Sequence, residues 1–522
     1  MKHSFFLVIP KQNNNPQRIK ELEENILKQW IAQLPIANAV LASRLIYDFI
    51  LEFNSLSMTA QMRLETLELL RPSFLAIEDY LCSRLVKSGF PKDSNDLKAL
   101  KLLVALQRQF TIGYWITLKE ITGNDIGWFQ GKNAALSSHR TLKGLSDIVV
   151  SYFIMGMPIP DWIWMDLHSL YKLSVKIKKN ATQVPLNDLV QVHKTSTPEE
   201  CYLQIILLSL ADPTGLMQKE IKLVYGFIQS IGALISLKLK PVANQALQCL
   251  ILTDGDKPPY FETQTESADE EADGSVPAVL YIDFTRLYEA FEQGKIPFNA
   301  SQARFSRMRS SENKDDRVSA ELLVYLKERW AGIELKSTPL FADRLDRLFA
   351  IGLMPTFKLQ GRQGKTSEDD AVEFLGHSVS AELLSCVFKQ VGVLSVGSLV
   401  SFRKVDGAEN KRLLGVVNKL VVEKETGQIS FGLQFLTDQL VPVTYSHLNN
   451  AHHERPKSAL LYHCNEQKGK SFIITDSFIL KENEVIRLFI EAADLSIMLK
   501  NKKNIGLGYW QFECTKVIAP KT

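Results

Sequence analysis

The spacing of apolar residues changes once along this chain, and the change limits the folds open to it. Up to about residue 240 apolar side chains recur every three or four positions; from about residue 350 they alternate with polar ones. A period near 3.6 buries one stripe of a helix, and a period of two buries one face of a strand. The expectation is a multidomain α+β protein, with an N-terminal all-α helical bundle or irregular solenoid followed by C-terminal antiparallel β-barrel structure. The 522 residues predict three or four domains, each able to bury a core. Composition shifts suggest a helical unit over 1–245 and a mixed α/β connector over 246–340 with an acidic loop at 262–275. A barrel over 341–450 follows, and then further strands or a second small barrel over 451–522.

In the helical part, Ile19, Leu22, Ile26 and Trp30 share one stripe, and Leu41, Leu45 and Phe49 another. Leu64, Leu67, Leu70, Phe74, Ile77 and Leu81 continue the rhythm, as do Leu100, Leu103, Leu106 and Phe110. Each stripe should be buried against a neighbour. Pro35 should separate the first two helices, and Pro72 should kink or start one near Leu70. Thr197-Pro-Glu-Glu200 carries a capping residue, a proline at the first helical position and a glutamate that closes a capping box. That helix should stop at Asp212-Pro213, and another should run from about Leu216 to Leu237. Trp115, Trp128, Trp162 and Trp164 read first as core filling.

Beyond residue 245, Leu247–Thr253 and Ala278–Asp283 read as strands, and Leu287–Glu292 and Ala320–Trp330 as helices. The acidic run between the two strands is self-repelling and reads as a solvated loop. Further on, Leu399–Lys404, Leu414–Val422 and Ile429–Phe435 are strand runs, the last with Ile429, Phe431, Leu433 and Phe435 on one face. Shorter runs at 459–462, 472–475, 486–490 and 509–517 extend the series.

Charge excludes one class of function. The 61 basic and 58 acidic side chains leave a net charge of +3, too little for a bulk nucleic-acid-binding surface. The longest uncharged stretch of interest, residues 149–160, has 12 residues, whereas a membrane-spanning helix needs about 20. No transmembrane segment is expected, and the five-residue apolar run near Met1 is too short for a secretory signal. Six cysteines lie far apart with no Cys-x-x-Cys pair, which suggests buried free thiols and a cytoplasmic setting.

No catalytic motif survives a scan. Gly364-Lys-Thr366 and Gly469-Lys-Ser471 each lack the first glycine of a phosphate loop, and Phe472–Thr475 reads as a strand where that loop needs a helix. His452-His453-Glu454 and His463-Cys464 lack further ligands at zinc-site spacing. Neither a cofactor nor a metal is expected, and nothing argues for an enzyme. Arg304, Arg307 and Arg309 form a basic cluster that reads as a mobile loop. Arg344 and Arg347, with Asp343 and Asp346, suit an ion-paired helix face at spacing i, i+3.

The hairpin Gly415-Val-Val-Asn-Lys-Leu-Val-Val422 and Gly427-Gln-Ile-Ser-Phe-Gly-Leu-Gln-Phe-Leu436, led in by Val396-Gly397-Ser-Leu-Val-Ser-Phe402, resembles the paired strands of PilZ domains. These are small antiparallel barrels that bind the bacterial second messenger cyclic di-GMP. The resemblance covers about 340–445, and the helical region before it is similar to the long N-terminal part of some bacterial PilZ-type proteins. It implies an arginine pair ahead of the barrel that grips phosphate and stacks on guanine, and a serine motif on a barrel strand. Arg344, Arg347 and Ser378 are the corresponding residues here. Both motifs depart from the family pattern. Two residues rather than three separate the arginines, Gly376 stands at the Asp/Asn position, and Ala381 at the glycine position. The resemblance implies a cytoplasmic bacterial signalling receptor whose ligand is cyclic di-GMP and whose helical half acts on a protein partner. Closure of the arginine segment on the barrel would then alter how the halves fit together. The alternative is a non-catalytic adaptor whose degenerate barrel no longer binds nucleotide.

Overall fold

The computed structural model describes residues 5–123, 130–186, 195–263, 278–305, 317–361, 372–423, 427–448, 455–464, 469–490 and 493–517. Helices α1 (Pro16–Lys20), α2 (Glu24–Ala32), α3 (Ala39–Asn54), α4 (Ala60–Leu85), α5 (Ser94–Thr122), α6 (Gly131–Ile154) and α7 (Ile163–Lys176) open the chain. A two-stranded ribbon of β1 (Val184–Pro185) and β2 (Thr195–Ser196) precedes α8 (Pro198–Leu210) and α9 (Gln218–Ile231). Thr197 caps α8 through the expected box: its Oγ1 accepts from Glu200 N at 3.1 Å, and Glu200 Oε2 accepts from Thr197 N at 2.9 Å. The stripes on α4 and α5 are buried throughout.

Several local expectations differ from the structure. The first stripe is split between α1 and α2: Leu22 is buried in the turn between them, and on α2 Leu27 is buried while Ile26 is 47% exposed. On α3 the buried face is Ala42, Ile46, Ile50 and Phe53, so Leu41 and Leu45, one position earlier and about 100° around the helix, stay exposed. Pro72 lies inside α4, which excludes a helix start near Leu70. The helix after Leu216 ends at Ile231, and Ser236–Lys238 is strand β3.

Strands β4 (Leu247–Leu252), β5 (Tyr260–Thr263) and β6 (Val279–Asp283) join β3 in a sheet of order β3-β6-β4-β5. Helices α10 (Thr285–Glu292) and α11 (Ala320–Trp330) complete this region. Cys249, Ile251, Leu280, Ile282 and Trp330 belong to the same continuous apolar core as the helices. The Trp330 indole N–H donates to Leu207 O on α8 at 3.0 Å. The acidic stretch beyond Thr263 and the residue Trp128 lie outside the described residues.

Two closed antiparallel barrels of six strands follow. The first uses β7 (Arg347–Ile351), β8 (Phe374–Ser378), β9 (Leu383–Cys386), β10 (Leu399–Lys404), β11 (Leu413–Val422) and β12 (Ile429–Thr437), with α12 (Leu353–Gln360) after β7. The second uses β13 (Leu440–His447), β14 (Lys457–Cys464), β15 (Lys470–Thr475), β16 (Val485–Ile490), β17 (Ala493–Gly506) and β18 (Tyr509–Lys516). Closure removes free sheet edges in both. Phe349, Phe402, Phe431 and Leu433 fill the first barrel, and Tyr445, Ile473, Leu488 and Phe512 the second. A separate cluster of Leu399, Leu414 and Val416 against Leu460, Tyr462 and Ile474 joins the barrels.

The first barrel also meets the helical half through main chain. Phe90 N donates to Leu394 O at 2.6 Å and Leu394 N to Phe90 O at 2.9 Å, while Val422 N donates to Gly156 O at 3.0 Å. Phe90 and Met217 reach into the barrel's own apolar cluster.

Candidate functional site

Arg344, Arg347 and Ser378 converge at one end of the first barrel, although 31 positions separate Arg347 from Ser378. Strands β7 and β8 pair antiparallel with Arg347 opposite Gly376, which brings Ser378 back to the segment ahead of β7. Ser378 Oγ donates to Leu345 O at 2.6 Å, and the Arg344 guanidinium donates to Val379 O. The arginines do not sit on a helix. Residues 341–343 form a turn, Arg344 has φ +58°, and Arg347 is the first residue of β7. The positive φ reverses the chain, so the i, i+3 spacing never becomes a shared helical face.

The two arginines have opposite surroundings. Arg344 is exposed. Arg347 is only 4% exposed, donating to Asp343 Oδ1 at 2.6 Å and Leu345 O at 2.8 Å, with its guanidinium 5.9 Å from the Phe341 ring centroid. Lys404, opposite Arg347 on β10, reaches Asp343 at 3.2 Å, and His377 meets Asp346 at 3.1 Å. Partial burial works against the charged Asp343 carboxylate, but the bonds from Arg347, Leu345 N and Lys404 outweigh it and hold the carboxyl down at about 2. The rim therefore presents Arg344, Lys404 and His377 around a carboxylate that Arg347 and Lys404 already engage.

The glycine at position 376 has a packing reason. A Cβ on Gly376 would lie 3.1 Å from the Phe349 ring, so any side chain there would press on this core aromatic and require it to shift by a few tenths of an ångström. Ala381 O accepts from Phe341 N at 2.8 Å and ties the turn to the β8–β9 connection.

Sequence reasoning missed two arginines. Arg403 and Arg412 both grip Glu373, Arg403 with two bonds at 3.2 and 2.8 Å and Arg412 with one at 2.6 Å. Arg412, 1% exposed, also donates to Ser401 Oγ and O at 3.0 and 3.1 Å. This network locks the barrel wall, and nothing local in the sequence marks it. Arg304 is likewise no mobile loop. It lies against Glu220 at 3.1 Å, donates to Gly215 O at 2.7 Å and sits 4.6 Å from the Tyr325 ring centroid. Arg307 and Arg309 lie outside the described residues, as do His452, His453, Glu454 and Gly364–Thr366.

A cleft of about 1050 Å³ opens beside the joined barrels, lined by Met354, Phe478, Lys502, Tyr509 and Trp510 among others. Lys502 Nζ lies 4.4 Å from the Trp510 ring centroid and donates to Phe478 O and Leu480 O at 3.0 and 2.7 Å. Gly352–Pro355 line it just after β7 ends, whereas the arginine segment precedes β7, so the two features flank opposite ends of that strand. Among the described residues no group of three or more His, Cys, Asp or Glu is placed to hold a metal ion. No helix among them is long and apolar enough to cross a membrane.

Fold and site define a helical protein with two fused antiparallel barrels and a cationic rim on the first. Comparison with known proteins adds a likeness in the helical half. Residues 25–242 match the family described as the N-terminal domain of the cyclic-di-GMP receptor FimW. A curated relative, the "Cyclic-di-GMP receptor FimW" of Pseudomonas aeruginosa, is 26% identical over 314 residues, which is 59% of this chain. That alignment covers 48% of the relative, so the chain spans about half the length of the protein it resembles. No solved structure matches.

Proposed function

We propose that this chain is a cytoplasmic bacterial signalling receptor for cyclic di-GMP, with no catalytic step, whose helical half acts on a protein partner. The observation that carries the reading is the 314-residue similarity to a protein named as a cyclic-di-GMP receptor. Arg344, with an exposed guanidinium at the barrel rim, is the residue we assign to phosphate, and Ser378 the neighbouring hydroxyl. Arg347 takes part by placing the turn, and releases Asp343 when the segment closes on ligand. The main-chain bonds between Phe90 and Leu394 and between Val422 and Gly156 supply a route by which such closure alters the helical half. The apolar stripe left open on α2 and α3, with Ile26, Leu41 and Leu45 exposed, is the surface we assign to the partner.

One observation favours the adaptor reading. Arg347 already pairs with Asp343, and Ser378 Oγ with Leu345 O, so both groups are satisfied without ligand. Equilibrium binding of labelled cyclic di-GMP to the whole chain and to Arg344→Ala separates the two. The receptor reading expects at least about a tenfold loss of affinity in the variant, equal to 1.4 kcal/mol. Equal affinity in both proteins removes Arg344 from the site, and no binding to either leaves the adaptor.

A further inference from the structure

Inside the helical half lies a cavity of about 340 Å³, at the lower end of the range of small-molecule sites. Its polar wall includes Glu78 from α4, Gln107 from α5, His139, Lys143 and Asp147 from α6, and Lys222 from α9. Leu75, Val150 and Leu186 supply an apolar wall. None of these residues belongs to the arginine segment or to either barrel.

Two wall groups lack the partners their chemistry calls for. Glu78 accepts from Gln107 Nε2 at 2.7 Å, and among the described residues no cation stands within ion-pair distance of it. The ammonium groups nearby are engaged elsewhere: Lys143 pairs with Asp147, and Lys222 with Asp79 at 2.8 Å. His139 is 1% exposed, and its Nδ1 is buried with no hydrogen-bond partner. Burial, then Arg140, Arg71 and Lys143, push this imidazole well below its usual range, so it is neutral and offers a lone pair in one tautomer. A half-buried carboxylate without a cation and a fully buried imidazole without a partner are each unfavourable. Both costs disappear if a ligand donates to them.

We propose that this cavity binds a small organic cation headed by a primary ammonium or guanidinium group. The head donates to Glu78 and to His139 Nδ1, and the alkyl part lies along Leu75, Val150 and Leu186. An anion would meet the carboxylates of Glu78, Asp79 and Asp147 on the wall. A metal ion lacks a set of three ligands among the described residues. The titration of Glu78 agrees. Burial and then the Asp147 carboxylate raise its carboxyl above the usual range, against the pull of Lys143, the Gln107 amide and Arg71. Asp79, Lys222, Cys82, His139 and Tyr225 are the other titratable groups on the wall. A bound cation favours the ionised form, so affinity should rise with pH as Glu78 loses its proton. The site does not depend on the receptor reading, because neither Arg344 nor cyclic di-GMP enters it.

The test is calorimetric titration of the whole chain with propylamine, propylguanidine and the uncharged isostere propylurea. Saturable binding of at least one cation, about tenfold or more tighter than propylurea, is expected. Glu78→Gln should lose that preference, while Glu65→Gln, on the exposed face of α4, should keep it. Far-UV circular dichroism checks that the Glu78 variant folds, and the comparison with propylurea in the unaltered protein stands whether or not it does. Equal binding of propylurea, an unchanged preference in folded Glu78→Gln, or no saturable binding of any probe up to about 10 mM overturns the proposal.

Discussion

Arg344 and Arg347 stand three positions apart and answer to different forces. Arg347 is buried against Phe341 and bonded to Asp343, so Arg347→Ala leaves that carboxylate without its main partner. Because Asp343 is one-third exposed, water recovers part of the loss, and a destabilisation of roughly 1–2 kcal/mol is expected in chemical denaturation. Arg344→Ala should stay within about 0.5 kcal/mol of the parent, since its side chain is exposed. A double variant that lost binding would therefore mix a fold effect with a ligand effect, and the single Arg344 change is the cleaner probe. The spacing alone suggested a helix face. The left-handed backbone at Arg344 has no signature in its neighbours, because arginine has no preference for that region.

Among the elements, α8 and α11 were the most readable, because capping and amphipathic spacing are local properties and both helices end where those signals place them. Strands β10, β11 and β12 were equally plain from their β-branched runs. Strands β7 and β8 were not: each has five residues, one starts with a buried arginine, and the other has Gly376 at its centre. On α3 the leucines Leu41, Leu45 and Leu51 are exposed while Ala42, Ile46, Ile50 and Phe53 are buried, so two apolar stripes run side by side and only packing decides between them. Leu41→Ser and Leu45→Ser should each change stability by less than about 0.5 kcal/mol, whereas Ile46→Ala should cost about 2–4 kcal/mol in thermal or chemical melts. Near-equal costs would place the buried face wrongly. Gly397 joins three parts of the molecule. It has φ +88°, a Cβ there would lie 2.6 Å from the Phe305 ring, and its carbonyl accepts from Leu507 N at 2.6 Å. Gly397→Ala combines backbone strain with overpacking, for a loss of about 2–4 kcal/mol, and a melt unchanged from the parent would contradict this contact.

For the molecule as a whole, the change in apolar period located the passage from helices to barrels. It carried no information on how strands close into two barrels or how the β3–β6 sheet shares the helical core, since those contacts join residues far apart in sequence. The cavity beside Glu78 was hidden for the same reason, its wall coming from α4, α5, α6, α8 and α9. Buried ionisable groups in this half oppose one another in acid. Burial pushes His168 down to about 4, where it holds Tyr202 Oη at 2.6 Å and Lys257 O at 2.9 Å. Burial pushes Asp166 up to about 6. Below the unfolded histidine value near 6.5, the unfolded chain takes up a proton that folded His168 refuses, so stability from His168 falls as pH falls toward 4. Asp166 works the other way, holding its proton in the fold over pH values where the unfolded carboxyl has lost it. His168→Gln removes only the first contribution. Relative to the parent it should gain stability on going from about pH 7 to pH 4, by an amount on the order of 3 kcal/mol. A pH-independent difference between the two proteins would contradict the neutral, buried state of His168.

Calorimetric titration of the whole chain with cyclic di-GMP, with GTP as the control, tests the receptor reading most directly. The reading predicts saturable binding of cyclic di-GMP at a micromolar or tighter dissociation constant, no heat with GTP, and a ligand-induced rise in melting temperature. No heat and no thermal shift with cyclic di-GMP would contradict it.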